Sequence, residues 1–312
     1  MTPPVSDPTG VAPPASTGPA LVEPAKPGRA RFVTAAPYLL LAPSVVFMLA
    51  LFGWPLVAGI LQAFGFGSEL GFSTTYWRRL ADDPYFWEAI RNTVLLIVVL
   101  LPVQFALAIG MALLVRARLR FSGLTFYLWA VPLAISDLAA GLVWLSIFAD
   151  RGYLNTALFW FGVDAVDWLH YQSPTKMLLA VVVAELWRST SLVFVIVVAG
   201  LQLIPRDYDE AAQVFGAGFW RRLWHVTLPL LRPNLQVALI LRTILAFQAF
   251  AVAQALTGRQ FPLLIGETFE WYVNLADPYV ASAVAMVVLG LSMVTAVIYL
   301  RLLRHPAEGG AR

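Results

Sequence analysis

The stretch that decides the fold is Asp209-Glu210-Ala211-Ala212-Gln213-Val214-Phe215-Gly216-Ala217, which lies between two long apolar blocks. Hydrophobic residues make up 60% of the 312 positions, charged residues make up 12%, and mean hydropathy is +0.75. These values are typical of an integral membrane protein and exclude an ordinary soluble domain. A membrane protein rarely keeps a long polar segment between two apolar blocks unless another protein binds it.

Six apolar stretches surround this segment, each near or above the roughly 20 residues that a helix needs to cross a bilayer. Because they are continuously apolar, they favour helices over barrel strands, which alternate between apolar and polar residues. The sequence therefore predicts an all-α integral membrane fold with six transmembrane helices and a short cytoplasmic helix between spans four and five. The predicted spans are 37–64, 89–115, 124–149, 177–203, 235–257 and 280–303.

Three regions are expected along the chain. Residues 1–34 are rich in Pro, Ser, Thr and Gly and lack the apolar run of a signal peptide, so they predict a disordered cytoplasmic tail. The transmembrane domain is predicted over 35–304 and contains the polar loop 204–234, and 305–312 form a cytoplasmic C-terminal tail.

Lys and Arg in the short loops predict the orientation, because cytoplasmic loops carry an excess of them. If both termini are cytoplasmic, thirteen basic residues lie inside, namely Lys26, Arg29, Arg31, Arg116, Arg118, Arg120, Arg206, Arg221, Arg222, Arg232, Arg301, Arg304 and Arg312. Five then lie outside, namely Arg78, Arg79, Arg151, Lys176 and Arg259. This excess places the loop 204–234 in the cytoplasm.

The first half of that loop predicts a short helix. Pro205 cannot continue span four without losing a backbone hydrogen bond, and Asp207 is a capable N-cap. A helix is expected over 208–215, and Gly216 suits the left-handed position that ends it.

The second half of the loop predicts a helical stretch over 219–226, with aromatic residues and two arginines that indicate an interfacial or packed position. Leu228-Pro229 and Arg232-Pro233 are then expected to restart the chain into span five.

The residues of the loop follow a known spacing: Glu-Ala-Ala, three residues, Gly, nine residues, a β-branched aliphatic residue, one residue, Leu-Pro. The matching positions are Glu210, Ala211, Ala212, Gly216, Val226, Leu228 and Pro229. This pattern resembles the cytoplasmic signature of permease subunits of bacterial ABC importers. The carbohydrate-uptake branch, of the maltose and glycerol-phosphate type, is the most similar, because Glu185-Leu186-Trp187, Leu201-Gln202-Leu203-Ile204-Pro205 and Leu256-Thr257-Gly258 also fit it.

The resemblance is close over about 180 to 260 and loose elsewhere, and the chain departs from the branch at three places. Phe215 stands where Asp is usual, which bears on contact with the ATPase. Arg259-Gln260-Phe261 replaces a Gly-Gly-Pro, and Ala251 occupies a commonly acidic position, so the solute class stays open.

The resemblance implies an importer in which two permeases form the pathway, two cytoplasmic ATPase subunits supply the work, and an extracytoplasmic binding protein delivers the solute. The short cytoplasmic helix would be the coupling helix, seated in a groove of one ATPase subunit. The implied coupling residues are Asp209, Glu210, Ala211, Ala212, Gly216, Ala217, Leu228 and Pro229. ATP and Mg would bind the partner subunits, since this chain has no Gly-x-x-x-x-Gly-Lys-Ser/Thr phosphate loop and binds no cofactor of its own.

Polar residues inside the predicted spans are the candidates for the solute pathway, because a charge in hydrocarbon is costly unless it is paired or hydrated. The family pattern implies that the helices flanking the coupling loop line the cavity. The predicted pathway residues are Arg188, Ser189, Arg242, Leu245, Gln248 and Ala249. The alternative is structural, with a Glu185–Arg188 ion pair inside span four, and with Arg242 paired to Asp137 or to the partner permease.

No motif supports catalysis by this chain. His170, His225 and His305 are scattered without the spacing of metal ligands, and neither His-Glu-x-x-His nor Gly-x-Ser-x-Gly occurs. Asp137 and Glu185 could be imagined as paired carboxylates of an intramembrane protease, but no flanking motif accompanies them. The alternatives to a sugar importer are therefore an importer of another solute, such as glycerol phosphate or a peptide, an intramembrane enzyme, or a stand-alone channel or carrier.

Overall fold

The computed structural model describes residues 27–117 and 122–302, with side chains described for 38–117 and 123–301. The predicted tail 1–34 lies outside the described residues up to position 26, and the predicted tail 305–312 lies wholly outside them. The described residues divide into two compact units, one before and one after the boundary between Leu56 and Val57. The first contains helix α1, Pro27–Met48, which begins inside the predicted N-terminal tail, and a π-helical turn, Leu49–Gly53.

Helices dominate the described residues, and no β-strand occurs in 27–117 or 122–302. After α1 the helices are α2 Trp54–Ala63, α3 Thr75–Ala81, α4 Pro84–Arg116, α5 Ser122–Ala130, α6 Asp137–Phe148, α7 Tyr153–Trp160, α8 Pro174–Gln202, α9 Arg206–Val214, α10 Phe219–Arg222, α11 Leu228–Phe247, α12 Ala251–Thr257, α13 Leu264–Phe269 and α14 Pro278–Leu302. Short 3-10 or π-helical turns occupy Val131–Ala134, Leu223–Thr227, Gly258–Gln260 and Glu270–Asn274.

Five helical segments of the described chain are long and apolar enough to cross a membrane, and a bent pair of segments brings the number to six. The five are Tyr38–Ala63, Pro84–Arg116, Pro174–Gln202, Phe219–Phe247 and Pro278–Arg301. The predicted all-α membrane fold is thus confirmed.

The third predicted span is broken. The segments Gly123–Ala134 and Asp137–Trp160 meet at an angle of 104°, whereas the sequence predicted one helix over 124–149. Pro132 lies in the 3-10 turn before the break, and the Ser136 hydroxyl accepts a hydrogen bond from the Ala139 amide at 3.2 Å. A proline followed by a new N-cap explains why the helix stops and restarts.

The fifth span begins and ends earlier than predicted. It runs over Phe219–Phe247, and Gln248 to Phe250 break the helix before α12. The predicted restart at Leu228-Pro229 coincides with the start of α11, where Pro229 lies in the first turn, whereas Pro233 lies inside the helix and does not restart it. Proline is tolerated in the first helical turn, and the π-helical turn Leu223–Thr227 supplies the local irregularity that a proline-rich helix needs.

Helix α4 is central to the second unit, because its buried side chains belong to three hydrophobic clusters. Leu96 packs in the cluster with α6, α8 and α12, Ala89 in the cluster with α13 and α14, and Ala108 in the cluster with α8 and α11. Small residues allow close packing of membrane helices, whose association relies on van der Waals contact. At Gly200 of α8, an added Cβ would lie 2.7 Å from the Asn234 side chain of α11.

Candidate functional site

Four polar side chains from three helices meet inside the spans, and we call them the buried polar cluster: Gln104, Glu185, Ser189 and Arg242. Gln104 comes from α4, Glu185 and Ser189 from successive turns of α8, and Arg242 from α11. Their exposed fractions are 0%, 2%, 5% and 1%. The cluster is therefore as buried as the apolar core around it.

The Arg242 guanidinium is the hub of the cluster. Its Nη2 donates to Glu185 Oε2 at 3.2 Å and to Ser189 Oγ at 2.9 Å, and its Nε donates to Gln104 Oε1 at 3.1 Å. Gln104 Nε2 is 3.0 Å from Ser189 Oγ, which donates to the Glu185 carbonyl oxygen at 2.5 Å. Burying a charge in a membrane core is costly, and an opposite charge with additional hydrogen bonds offsets that cost. The cluster thus joins α4, α8 and α11 through polar bonds within one chain.

A second ion pair lies beside the cluster. Arg188 Nη1 is 2.6 Å from Asp137 Oδ1, which links α8 to the first residue of α6. Both side chains are partly accessible, with exposed fractions of 23% and 52%. The alternatives proposed from sequence paired these charges differently. Glu185 and Arg188 are 4.0 Å apart, at the limit of an ion pair, and Arg242 pairs with Glu185 instead of Asp137.

The predicted pathway residues fall into two groups. Ser189 and Arg242 belong to the buried polar cluster, and Arg188 lies beside it. Leu245 and Gln248 are exposed near the end of α11, where Gln248 follows the last helical residue, and Ala249 is 9% exposed. The structure therefore brings Ser189 and Arg242 together but not Gln248.

Three buried polar atoms near these residues have no hydrogen-bond partner in the described structure: Arg188 Nε, Thr190 Oγ1 and Thr243 Oγ1. Thr190 and Thr243 follow a cluster residue in α8 and α11, respectively. Their position next to predicted pathway residues is a sequence signal that could have identified Thr190 and Thr243. Only the packing between helices shows which of their atoms stay unpaired.

The predicted coupling helix is α9, which runs over Arg206–Val214 instead of 208–215. Pro205 occupies the cap position and Asp207 lies in the first turn, so the predicted N-cap is wrong by two residues. At the other end, Gly216 has a φ of +77°. The Gly216 amide donates to the Gln213 carbonyl and the Ala217 amide donates to the Ala212 carbonyl, each at 2.9 Å. These bonds close the helix end through a left-handed glycine, as the sequence predicted.

The outer surface of α9 is exposed and partly apolar. Val214, the last residue of α9, and Phe215, its C-cap, are 86% and 89% exposed, and Tyr208 is 52% exposed; the surface of α9 is taken to include Phe215. Glu210 and Ala211 are also exposed, whereas Asp209, Ala212 and Ala217 are half-buried. Leu228 and Pro229 are half-buried at the start of α11.

No group of three or more potential metal ligands occurs within the described residues. His170 Nδ1 accepts a hydrogen bond from the Gln172 amide at 3.3 Å, and His225 Nδ1 is 3.1 Å from the Arg221 carbonyl oxygen. The third histidine of the sequence, His305, lies outside the part of the chain that the structure describes.

Sequence comparison identifies relatives over most of the chain. Residues 107–305 match the family model described as the binding-protein-dependent transport system inner membrane component. The sulfoquinovosyl glycerol transport system permease protein SmoG of Agrobacterium fabrum is 35% identical over 85% of this chain and 89% of its own length. The trehalose/maltose permease protein MalF of Thermococcus litoralis is 33% identical over 72% of this chain and 76% of its own length. The sn-glycerol-3-phosphate permease protein UgpA of Brucella abortus is 32% identical over 71% of this chain and 77% of its own length.

A solved structure shares the fold. A chain of a bacterial ABC transporter involved in the import of alginate superposes with a TM-score of 0.78, at 19% sequence identity, over 89% of this chain and 99% of that chain. Family members of this kind are transport permeases and not enzymes. With its apolar helical spans and its match over 107–305, the chain is a multi-pass membrane protein that belongs to the family of binding-protein-dependent transport system inner membrane components.

Proposed function

We propose that this chain is one permease subunit of an ATP-driven importer and forms, with a second and different permease, the pathway for a sugar or related polyol. An extracytoplasmic binding protein would deliver the solute, and two ATPase subunits carrying ATP and Mg would supply the work. The names of the relatives support the solute class, since they transport sulfoquinovosyl glycerol, trehalose or maltose, and glycerol phosphate.

The observation that carries this proposal is the exposed surface of α9. Phe215 and Val214 leave almost all of their apolar area uncovered, on a short helix that lies outside the spans. Exposed apolar groups rimmed by polar residues typically mark an interaction surface. We assign ATPase docking to Glu210, Ala211, Ala212, Gly216, Ala217, Leu228 and Pro229, and a coupling role at the half-buried side of α9 to Asp209.

The local structure suits a force-transmitting element. α9 is nine residues long, about 13 Å at 1.5 Å per residue, and short connections join it to α8 and α10. A rigid helix with short connections moves its neighbours when it is displaced. Closure of the ATPase pair would thereby alter the packing of α8 and α11 and alternate access to the pathway.

The solute pathway is proposed along Arg188, Ser189, Arg242, Leu245, Gln248 and Ala249. Gln248 is exposed and Arg188 is partly exposed, so both present hydrogen-bond donors suited to sugar hydroxyls. Ser189 and Arg242 contribute through the buried polar cluster, which fixes α8 against α11 where those helices flank the pathway.

The proposed location is the bacterial cytoplasmic membrane, with both termini and α9 in the cytoplasm. The excess of basic residues in the segments assigned to the cytoplasm supports this orientation. Glycerol phosphate is the second candidate solute class, because the UgpA relative transports it and because an arginine beside the pathway would suit a phosphate. The intramembrane enzyme is disfavoured, since the two candidate carboxylates, Asp137 and Glu185, are each paired with an arginine.

Co-expression tests the proposal. The purified complex should contain a second permease and an ATPase whose hydrolysis rises with binding protein and sugar. Transport by this chain alone in liposomes, without nucleotide, would refute an ATP-driven importer. A panel of glycerol phosphate and sugars offered to the binding protein decides between the two solute classes.

Two variants test the role of α9. Gly216→Pro cannot adopt a φ of +77°, and Glu210→Lys reverses an exposed charge, so both should abolish ATPase docking while leaving membrane insertion intact. Glu69→Lys is the control, because exposed Glu69 lies in the loop before α3, far along the chain from α9. Normal coupled uptake by Gly216→Pro and Glu210→Lys would rule out α9 as the coupling helix.

A further inference from the structure

Arg116, the last residue of α4, contacts two other helices. Its Nη2 is 2.8 Å from Asp209 Oδ2 in α9, and its Nη1 donates to the Leu201 carbonyl oxygen in the last turn of α8 at 3.0 Å. The side chains of Arg116 and Asp209 are 17% and 27% exposed. One guanidinium therefore joins α4, α8 and α9.

The position of Asp209 distinguishes it from the other acidic residues of α9. Asp207 and Glu210 are exposed, whereas Asp209 and Ala212, three residues apart on one helical face, are half-buried. Asp209 is thus the acidic residue of α9 that is turned inward, onto Arg116. Its Oδ2 accepts a charge-assisted hydrogen bond from Arg116, which holds the carboxylate against α4 instead of on the exposed side of α9.

The Leu201 contact makes the arrangement stiffer than a surface ion pair. The Leu201 carbonyl oxygen also accepts from the Ile204 amide at 3.4 Å, so Arg116 adds a second donor in the last turn of α8, where a cation meets a favourable helix dipole. A planar guanidinium can donate to the Leu201 carbonyl and to Asp209 at the same time, in fixed geometry.

The consequence concerns which spans α9 can move. The chain itself connects α9 to α8 and, through α10, to α11, but α4 lies 93 residues away from Asp209 at Arg116. The ion pair adds a third attachment, to the helix that supplies Gln104 to the buried polar cluster. A displacement of α9 would then reach α4, α8 and α11 together.

We infer that Arg116 and Asp209 are positioning residues that transmit the displacement of α9 to α4, and that Asp209 does not contact the ATPase. This inference rests on the proposed function, and it assigns Asp209 to the half-buried face of α9, apart from the docking surface.

The test compares Arg116→Gln, Asp209→Asn and the double variant in liposomes that contain the whole complex with its ATPase, binding protein and sugar. Each single variant should keep ATPase docking and stimulated hydrolysis but transport about fivefold less sugar per ATP. The double variant should be no worse than either single one, because both substitutions remove the same interaction. Arg116→Lys should recover only part of the lost transport, since an ammonium cannot reproduce the two N–H groups that a planar guanidinium directs at Leu201 and Asp209.

Arg91→Gln is the matched control: it makes the same substitution in the same helix, at an exposed arginine that forms no ion pair within the described residues. It should leave the sugar transported per ATP unchanged. The natural chain contains no cysteine, so a spin-label pair at exposed Ala117 and Gln213 can report the distance between α4 and α9. In the parent chain ATP should leave this distance nearly constant, and in Arg116→Gln it should change and broaden.

The outcomes separate this inference from the proposed function. If the parent complex shows no solute-stimulated hydrolysis, the proposed function fails. If the parent works and the single variants lose hydrolysis and uptake in equal proportion, Asp209 belongs to the docking surface and the inference is wrong. The inference is equally wrong if the variants only lower thermal stability, with an unchanged transport ratio and an unchanged label distance.

Discussion

The buried polar cluster and the outer surface of α9 differ in how far their side chains are exposed and whether they have partners within the chain. In the cluster, Arg242 and Glu185 are almost inaccessible and bind each other and their neighbours within one chain. On α9, Phe215 and Val214 are almost fully exposed and have no cover from this chain. The difference shows that the chain pairs the buried charges of its spans internally, whereas the apolar residues at the end of α9 have no cover within this chain.

The physical cause of the difference is the surrounding medium. A charged side chain within the spans cannot be hydrated by bulk water, so its partner must come from a neighbouring helix. An exposed apolar residue outside the spans costs little until a partner buries it, and then it contributes to binding. Substitutions in the cluster should therefore change folding, and substitutions on α9 should change assembly.

The largest effect is expected when one member of the cluster is removed. Glu185→Leu leaves the buried Arg242 without its counter-charge and should destabilise the chain by about 3–5 kcal/mol. The double variant Glu185→Leu with Arg242→Met should recover most of this loss, because no uncompensated charge remains. Unfolding of the purified chain in detergent, followed by circular dichroism, measures both.

Asp137→Leu is the control for that prediction. Asp137 is 52% exposed, and Arg188 still has Glu185 at 4.0 Å when Asp137 is removed, so the loss should be smaller than that for Glu185→Leu. Equal losses for Glu185→Leu and Asp137→Leu would mean that burial does not set the importance of these ion pairs.

A smaller effect is expected from the close packing of α8 against α11 at Gly200. Gly200→Ala places a Cβ 2.7 Å from the Asn234 side chain and should cost about 1–3 kcal/mol as α8 and α11 separate. Adding Asn234→Ala should restore part of the stability. Gly110→Ala, at a helical glycine with nothing within 4 Å, is the control and should be neutral or stabilising by up to about 1 kcal/mol. A loss at Gly110 as large as that at Gly200 would argue against a steric cause.

The next prediction concerns Phe215 on the exposed surface of α9. Phe215→Ala removes an exposed ring and should change the free energy of unfolding by less than about 0.5 kcal/mol. The dissociation constant of the ATPase should rise about tenfold, because the ring is expected to be buried on docking. Affinity measured on the purified permease pair tests this, and an unchanged affinity would place the docking contact elsewhere on α9.

The sequence predicted the elements whose signals are local. Apolar runs indicated the spans, and the glycine at position 216 indicated the end of α9, because helix length and a left-handed cap depend on neighbouring residues only. The third span illustrates the limit: an apolar run reads the same whether the helix is straight or bent by 104°.

The partners of the buried charges could not be predicted for a related reason. Spacing along α8 places Glu185 and Arg188 on one face, which favoured pairing them with each other. The choice between that pair and the Glu185–Arg242 pair depends on how α8 packs against α11, to which close-packing residues such as Gly200 contribute. The same holds for Arg116 and Asp209, which lie 93 residues apart.

The smallest predicted effect concerns a buried acid outside the spans, which resembles Glu185 in having an arginine partner. Glu267 is 1% exposed, and its Oε2 is 3.4 Å from Nη2 of Arg259. The guanidinium of Arg259 also pairs with Glu270. Burial raises the pKa of Glu267 above its ordinary value of 4.5, and the opposing influence of Arg259 is weaker. The folded chain therefore holds this proton more tightly than the unfolded chain does.

The stabilising contribution of protonated Glu267 is accordingly complete below pH 4.5 and is lost as the pH rises through the higher pKa of the folded state. Glu267→Gln should remove this component, so its unfolding temperature should fall less than that of the parent chain between acidic and neutral pH. Glu270→Gln, which loses a bond to the same Arg259 but leaves Glu267 buried, should keep the pH dependence of the parent. If the two variants flatten the pH profile equally, the Arg259 ion pairs and not the burial of Glu267 control it.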